Sequence, residues 1–221
     1  VSEDAFNWHA CAPAGSPRAV YRVAAISGSR GPIRARLDLS ARGNRAALAS
    51  ALPRMRLTDL NAMDGERFVD ALGDIFEHSP WVARNAYSAR PFSSKAELHA
   101  AMCRCVQQAA PSLQRALIDA HPELAGKAAL ASELTEASLS EQVGAGLDRC
   151  SAQELGELTS LNREYRERFD FPFIIAVRGH SRLSIIAALR ERLAHSPITE
   201  FLTALEQIER IAFHRLNDRI S

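Results

Sequence analysis

Nowhere in the 221 residues does an uninterrupted apolar stretch approach the roughly 18 needed for a membrane-spanning helix. The first residues lack the basic, apolar, small-residue order of a secretory signal, and Arg219-Ile220-Ser221 is not a peroxisomal address. No C-x-x-C pair occurs. The four cysteines, Cys11, Cys103, Cys105 and Cys150, share no ligand spacing with the histidines, which predicts reduced packing cysteines, a cytoplasmic setting and no metal site. Formal net charge is only +1, so no field of the whole protein draws it to nucleic acid or membrane. Internal repeats are missing, and strand-type alternation is nearly so.

The balanced charge hides an asymmetry. Residues 1–56 hold nine arginines against Glu3, Asp4 and Asp38, a net +6, which leaves 18 basic and 23 acidic residues, a net −5, for 57–221. The break falls near Pro53. Residues 1–55, with "SGSRGPIRAR" and no sustained period, read as a disordered basic extension, with a short helix possible over 44–52. Its arginines are spread out and lack interleaved aromatics, although a basic nucleic-acid-binding arm is the competing reading.

From residue 56 onward the period is helical. Phe68, Val69, Leu72, Ile75 and Phe76 fall on one face, and so do Leu98, Ala101, Met102 and Cys105 behind a Ser94–Glu97 capping box. Leu113, Ala116, Leu117 and Ala120 line a helix that Pro122 stops at His121. Leu155, Leu158, Leu161, Tyr165 and Phe169 follow a second capping box at Ser151–Glu154, then comes "SRLSIIAALRERL", and Ser196-Pro197 opens a last helix. The expectation is an all-α, single-domain bundle of six to eight helices over 56–221.

Three clusters could carry chemistry. His121, at a helix end and fixed by Pro122, suits proton exchange near neutral pH, or simply caps that helix. "HPELA" lacks the H-E-x-x-H arrangement of a zinc site. In "LTEASLSEQVGAGL", Ser138, Glu141 and Gln142 would sit on the first turn of a helix beside N–H groups that favour an anion, or Ser138 and Glu141 form one more capping box. "FPFIIAVRGH", residues 171–180, is plain core or, held extended by Pro172, a segment whose peptide groups await partners, closed by the planar donor fork of Arg178.

Taken together, "HPELAGK", "LTEASLSEQVGAGL", "LNREYRERFDFPFIIAVRG" and the earlier "FEHSPWVARNAYSARPF" resemble the 2-oxo-4-hydroxy-4-carboxy-5-ureidoimidazoline (OHCU) decarboxylases of the urate-to-allantoin pathway. The likeness runs from about Leu57 to about Ile220, with the blocks in the family's order. It implies an all-helical homodimer, with no metal or organic cofactor, that removes CO2 from its small-molecule substrate and protonates one face to give (S)-allantoin. By the same resemblance His121 would be the proton donor and Glu141 would bind substrate through its side chain; Glu141 is also expected to be catalytic, by tuning His121. Pro122, Ser138, Leu139, Ser140 and Gln142 would bind substrate, and Phe173, Ile174, Ile175, Ala176 and Val177 would do so largely through backbone. Arg178 matches the arginine that follows that run. The opposing class is a non-enzymatic helical interaction module working through its basic arm.

Overall fold

A computed structural model describes residues 54–124 and 135–221. The possible helix over 44–52, residues 125–127 of "HPELAGK" and Leu134 lie outside the described residues. Among the described residues there are nine α-helices, one more than the upper expectation. They are α1 (Leu57–Asn61), α2 (Gly65–Leu72), α3 (Pro80–Ala86), α4 (Lys95–Gln107), α5 (Pro111–Asp119), α6 (Glu136–Gly144), α7 (Ala152–Phe169), α8 (Arg182–Arg192) and α9 (Pro197–Arg219). The fold is all-α. Among the described residues the one extended pairing is a parallel bridge, Met55 to Ile220, closed by Met55 N–H to Arg219 O and Ser221 N–H to Met55 O, each 2.9 Å. Met55 therefore belongs with the helices.

Most helix starts are written in the local sequence. Ser151 and Glu154 form the full reciprocal box on α7, and Ser196 with Pro197 opens α9. Ser94 caps α4 through Glu97 N–H, but the Glu97 carboxylate takes Ser93 instead, so that box is only half made. The stripe expected over Phe68–Phe76 breaks at Gly73. There a Cβ would lie 2.6 Å from the Val69 carbonyl oxygen and 3.2 Å from Pro80 Cβ, so only glycine lets α2 end against α3. Ile75 and Phe76 are still buried, from a turn rather than a helix.

Helix α9 is the organising element, packed against α4, α5 and α7. It buries Ala204, Leu205, Ile208, Ile211, Ala212 and Leu216 in the core. Two of its polar residues, Glu200 and Arg215, are buried with them.

The chain leaves α7 through Asp170, which adopts φ 64°, and Arg115 of α5 holds that turn through the Asp170 carbonyl and carboxylate. Residues 171–177 then run without helical or strand pairing, and every one of them is buried. Pro172 blocks the continuation of helix, and burying Phe173, Ile174 and Ile175 contributes about 2 kcal/mol each. Among the described residues no helix is long and apolar enough to cross a membrane.

Candidate active site

His121 follows the last turn of α5, its N–H on the Ile118 carbonyl, and the residue is 7% exposed. Nδ1 lies 2.8 Å from the Leu117 carbonyl. A carbonyl only accepts, so Nδ1 carries the hydrogen and Nε2 presents a lone pair. That Nε2 is buried and has no hydrogen-bond partner among the described residues. Burial pushes the His121 pKa down to about 4; the Leu117 bond and the Glu77 carboxylate pull it up, while Arg215 and His78 push it down. The resting imidazole is neutral at physiological pH.

Facing it is a buried ionic knot. Arg215 of α9 reaches Glu77 at 2.8 Å, and Glu141 of α6 through two bonds of 2.8 and 3.0 Å. The Ser138 hydroxyl donates to Glu77 at 3.0 Å and accepts from Arg215 at 3.2 Å, and the Thr135 hydroxyl donates to Glu77 at 2.7 Å. Burial opposes ionisation of both members, yet Glu141 and Glu77 hold the Arg215 pKa up, and Arg215 and Thr135 hold that of Glu77 down. Two carboxylates around one guanidinium leave the knot with net negative charge beside the imidazole.

These groups share one cavity. His121, Pro122, Leu124, Ser138, Glu141, Gln142, Phe173, Ile174, Ile175, Val177, Ile211 and Arg215 line about 30 Å³, room for one or two waters. Beside it lies a groove of about 610 Å³ that shares Glu141, Val177 and Arg215 as walls and adds Arg54, Ser140, Arg178 and Asp218. Among the described residues no His, Cys, Asp and Glu group is arranged to hold a metal ion. The arrangement offers a bare basic nitrogen, a charged clamp and an apolar wall of extended backbone, as proton transfer on a polar ring requires.

Comparison with known proteins decides the family. The family model described as OHCU decarboxylase matches residues 61–217. The chain belongs to the OHCU decarboxylase family. It is 46% identical over 167 residues to the 2-oxo-4-hydroxy-4-carboxy-5-ureidoimidazoline decarboxylase of Haloferax volcanii, covering 76% of this chain and 97% of that protein. It is 43% identical over 165 residues to a uric acid degradation bifunctional protein of Bacillus subtilis, covering 75% of this chain and 33% of that longer one. The crystal structure of an (S)-allantoin synthase superposes with TM-score 0.62 at 30% identity, over 75% of this chain and 54% of that one.

Within this OHCU decarboxylase fold, nine of the expected residues meet in the cavity: His121, Pro122, Ser138, Glu141, Gln142, Phe173, Ile174, Ile175 and Val177. Four do not line it. Leu139 and Ser140 are exposed on the outer side of α6, with Ser140 on the neighbouring groove. Ala176 is buried with its N–H on Gln207 Oε1 at 3.0 Å. Arg178 is exposed and paired with Asp218. The capping-box reading of Ser138 is also corrected: Thr135 caps α6 by accepting from Ser138 N–H, and the Ser138 hydroxyl is spent on Glu77 and Arg215.

Sequence reasoning missed Glu77, Thr135 and Arg215. One signal existed: Arg215 stands in the apolar stripe Ile208, Ile211, Ala212, Leu216, where a charge must find a partner.

The depressed His121 pKa has a consequence for stability. A basic group whose folded pKa lies below its unfolded value favours folding fully above the unfolded value, and the benefit is lost as pH falls toward the folded one. The window is therefore about 6.5 down to about 4. Between pH 7 and pH 5, wild type should lose about 2 kcal/mol more than a His121→Asn variant in urea titrations. Parallel losses in the two proteins would contradict the buried neutral ring.

Proposed function

We propose that the chain catalyses decarboxylation of OHCU to (S)-allantoin in urate breakdown, with His121 as the group that moves the proton. The observation that carries this is the unpartnered Nε2 of a buried, neutral histidine lining the same cavity as the 173–177 backbone. The substrate bears hydroxyl and carboxylate on one ring carbon, beside a C=N carbon that bears the ureido arm. Breaking the bond to CO2 sends its electron pair across that C=N to the ring nitrogen, which takes a proton from solvent. An enol remains. Its O–H passes a proton to Nε2, and the imidazolium returns it to the ureido-bearing carbon on the face it borders, closing the carbonyl of allantoin. His121 thus enters the reaction as an acceptor and leaves it as the donor that sets the hand.

Arg215, held charged by Glu77 and Glu141, is suited to the substrate's carboxylate or ureido oxygen, and Gln142 and the Ile175 and Val177 amides to the ring. Among the described residues neither amide has a hydrogen-bond partner. The apolar wall disfavours the carboxylate relative to neutral CO2. A cavity of about 30 Å³ must widen to admit this ring, and Glu141, Val177 and Arg215 are the walls it shares with the larger groove.

On the same reading the protein is a cytoplasmic homodimer, and the helical unit carries the activity by itself. Removing residues 1–53, which spares the Met55–Ile220 bridge, should leave kcat/KM within about twofold. Loss of turnover together with a salt-sensitive nucleic-acid affinity would favour the basic-arm module instead.

A further inference from the structure

Against the 173–177 wall, among residues that do not line the cavity, lies a second buried polar cluster. Glu200, fully buried in the first turn of α9, accepts from the Tyr165 hydroxyl, from Arg192 Nε at 2.9 Å and from His195 Nδ1 at 2.7 Å. Arg192, 7% exposed at the end of α8, turns its other terminal nitrogen, Nη1, to the Ile174 carbonyl at 2.6 Å. Its guanidinium carbon sits 4.5 Å from the Phe173 ring centroid. One side chain thus grips the wall at two adjacent residues. A buried ion pair seldom adds stability over apolar packing of equal volume, so stability is a poor reason for it.

We infer that Arg192 is a positioning residue for substrate binding, acting through the peptide plane between Ile174 and Ile175. A trans peptide is rigid, and its C=O and N–H point in opposite directions. Pinning the Ile174 carbonyl therefore turns the Ile175 N–H to the opposite side, and Ile174 and Ile175 both line the cavity. The next plane is held the other way, by Gln207 on the Ala176 N–H, which directs the Ile175 carbonyl away from Gln207. Arg192 and Gln207 so set, from outside the cavity, a donor and an acceptor on one residue, a pair matched to an amide-like edge of the ureidoimidazoline. This rests on the decarboxylase reading above.

The test compares wild type, Arg192→Lys, and the double variant Arg192→Met/Glu200→Gln, which removes the guanidinium without leaving a charged carboxylate unpaired. Each is assayed with freshly generated OHCU for KM, kcat and the enantiomeric excess of allantoin, beside a thermal melt. Expected are wild-type-like melts, KM raised about tenfold as for one lost hydrogen bond, and a reduced enantiomeric excess. Unchanged KM and excess in a folded variant would overturn the assignment. If the double variant fails to fold, the lysine variant, which keeps a charge on Glu200, decides by the same two readouts. A wild type that does not turn over OHCU overturns the decarboxylase reading and this inference with it, whereas an active wild type with indifferent variants overturns this inference alone.

Discussion

His121→Asn is expected to abolish stereospecific allantoin formation and to lower turnover by about 10²–10⁴-fold, the range that a positioned proton-transfer group supplies. Asparagine is the discriminating choice because its amide N–H can keep the bond to the Leu117 carbonyl that His121 Nδ1 makes at 2.8 Å. The helix end stays tied, and only the basic Nε2 is lost. A cooperative melt close to wild type should accompany the kinetic loss. The same reasoning sets the pH profile. The neutral ring must accept the enol proton, so activity should fall on the acid side near the depressed pKa of about 4, well below the ordinary histidine range. Steady-state rates from pH 4 to 8 read this limb, and an acid limb near 6.5 would mean that the working imidazole is solvated.

The second large effect lies in the ionic knot. Arg215→Met leaves Glu77, 2% exposed, with hydroxyl donors and only the exposed His78 ring 4.0 Å away, and should destabilise by about 3–5 kcal/mol. For a chain of this size that is a drop of roughly 10 °C or more in Tm, with activity lost as well. Adding Glu77→Gln to that background should recover part of the stability and none of the activity. Glu141 makes an instructive contrast. Its side chain is 26% exposed, so Glu141→Gln should cost little in a melt while still weakening catalysis by loosening Arg215. Equal losses of stability from the Glu141 and Arg215 variants would show that the knot is structural alone.

How much of this could be read beforehand divides by distance along the chain. Caps, prolines and apolar stripes act over three or four residues, so α7 and α9 could be drawn from Ser151, Glu154, Ser196 and Pro197 alone. For 171–177 the sequence leaves plain core and a run held extended by Pro172 both open, and the segment is both, because Pro172 cannot continue a helix and seven apolar residues will not stay in water. Which hydroxyl caps α6 was not. Thr135 and Ser138 are both competent N-caps, and the choice falls to Thr135 because a buried carboxylate 61 residues away claims the Ser138 hydroxyl. Glu77 and Arg215 are 138 residues apart, and no local pattern joins them. Arg178, which matches the family's arginine after the apolar run, is a second case. Gly179, at φ 85°, turns the chain just after it, and the Arg178 guanidinium pairs with Asp218 at the surface. Proximity in sequence to a binding wall does not determine the side to which a long side chain turns.

The most direct test is circular dichroism at wavelengths where allantoin absorbs, following freshly generated OHCU with and without the protein. Wild-type protein should hasten the loss of OHCU and build the signal of one enantiomer, and the His121→Asn variant should do neither. Racemic product forming at the buffer rate with wild-type protein present would contradict this expectation.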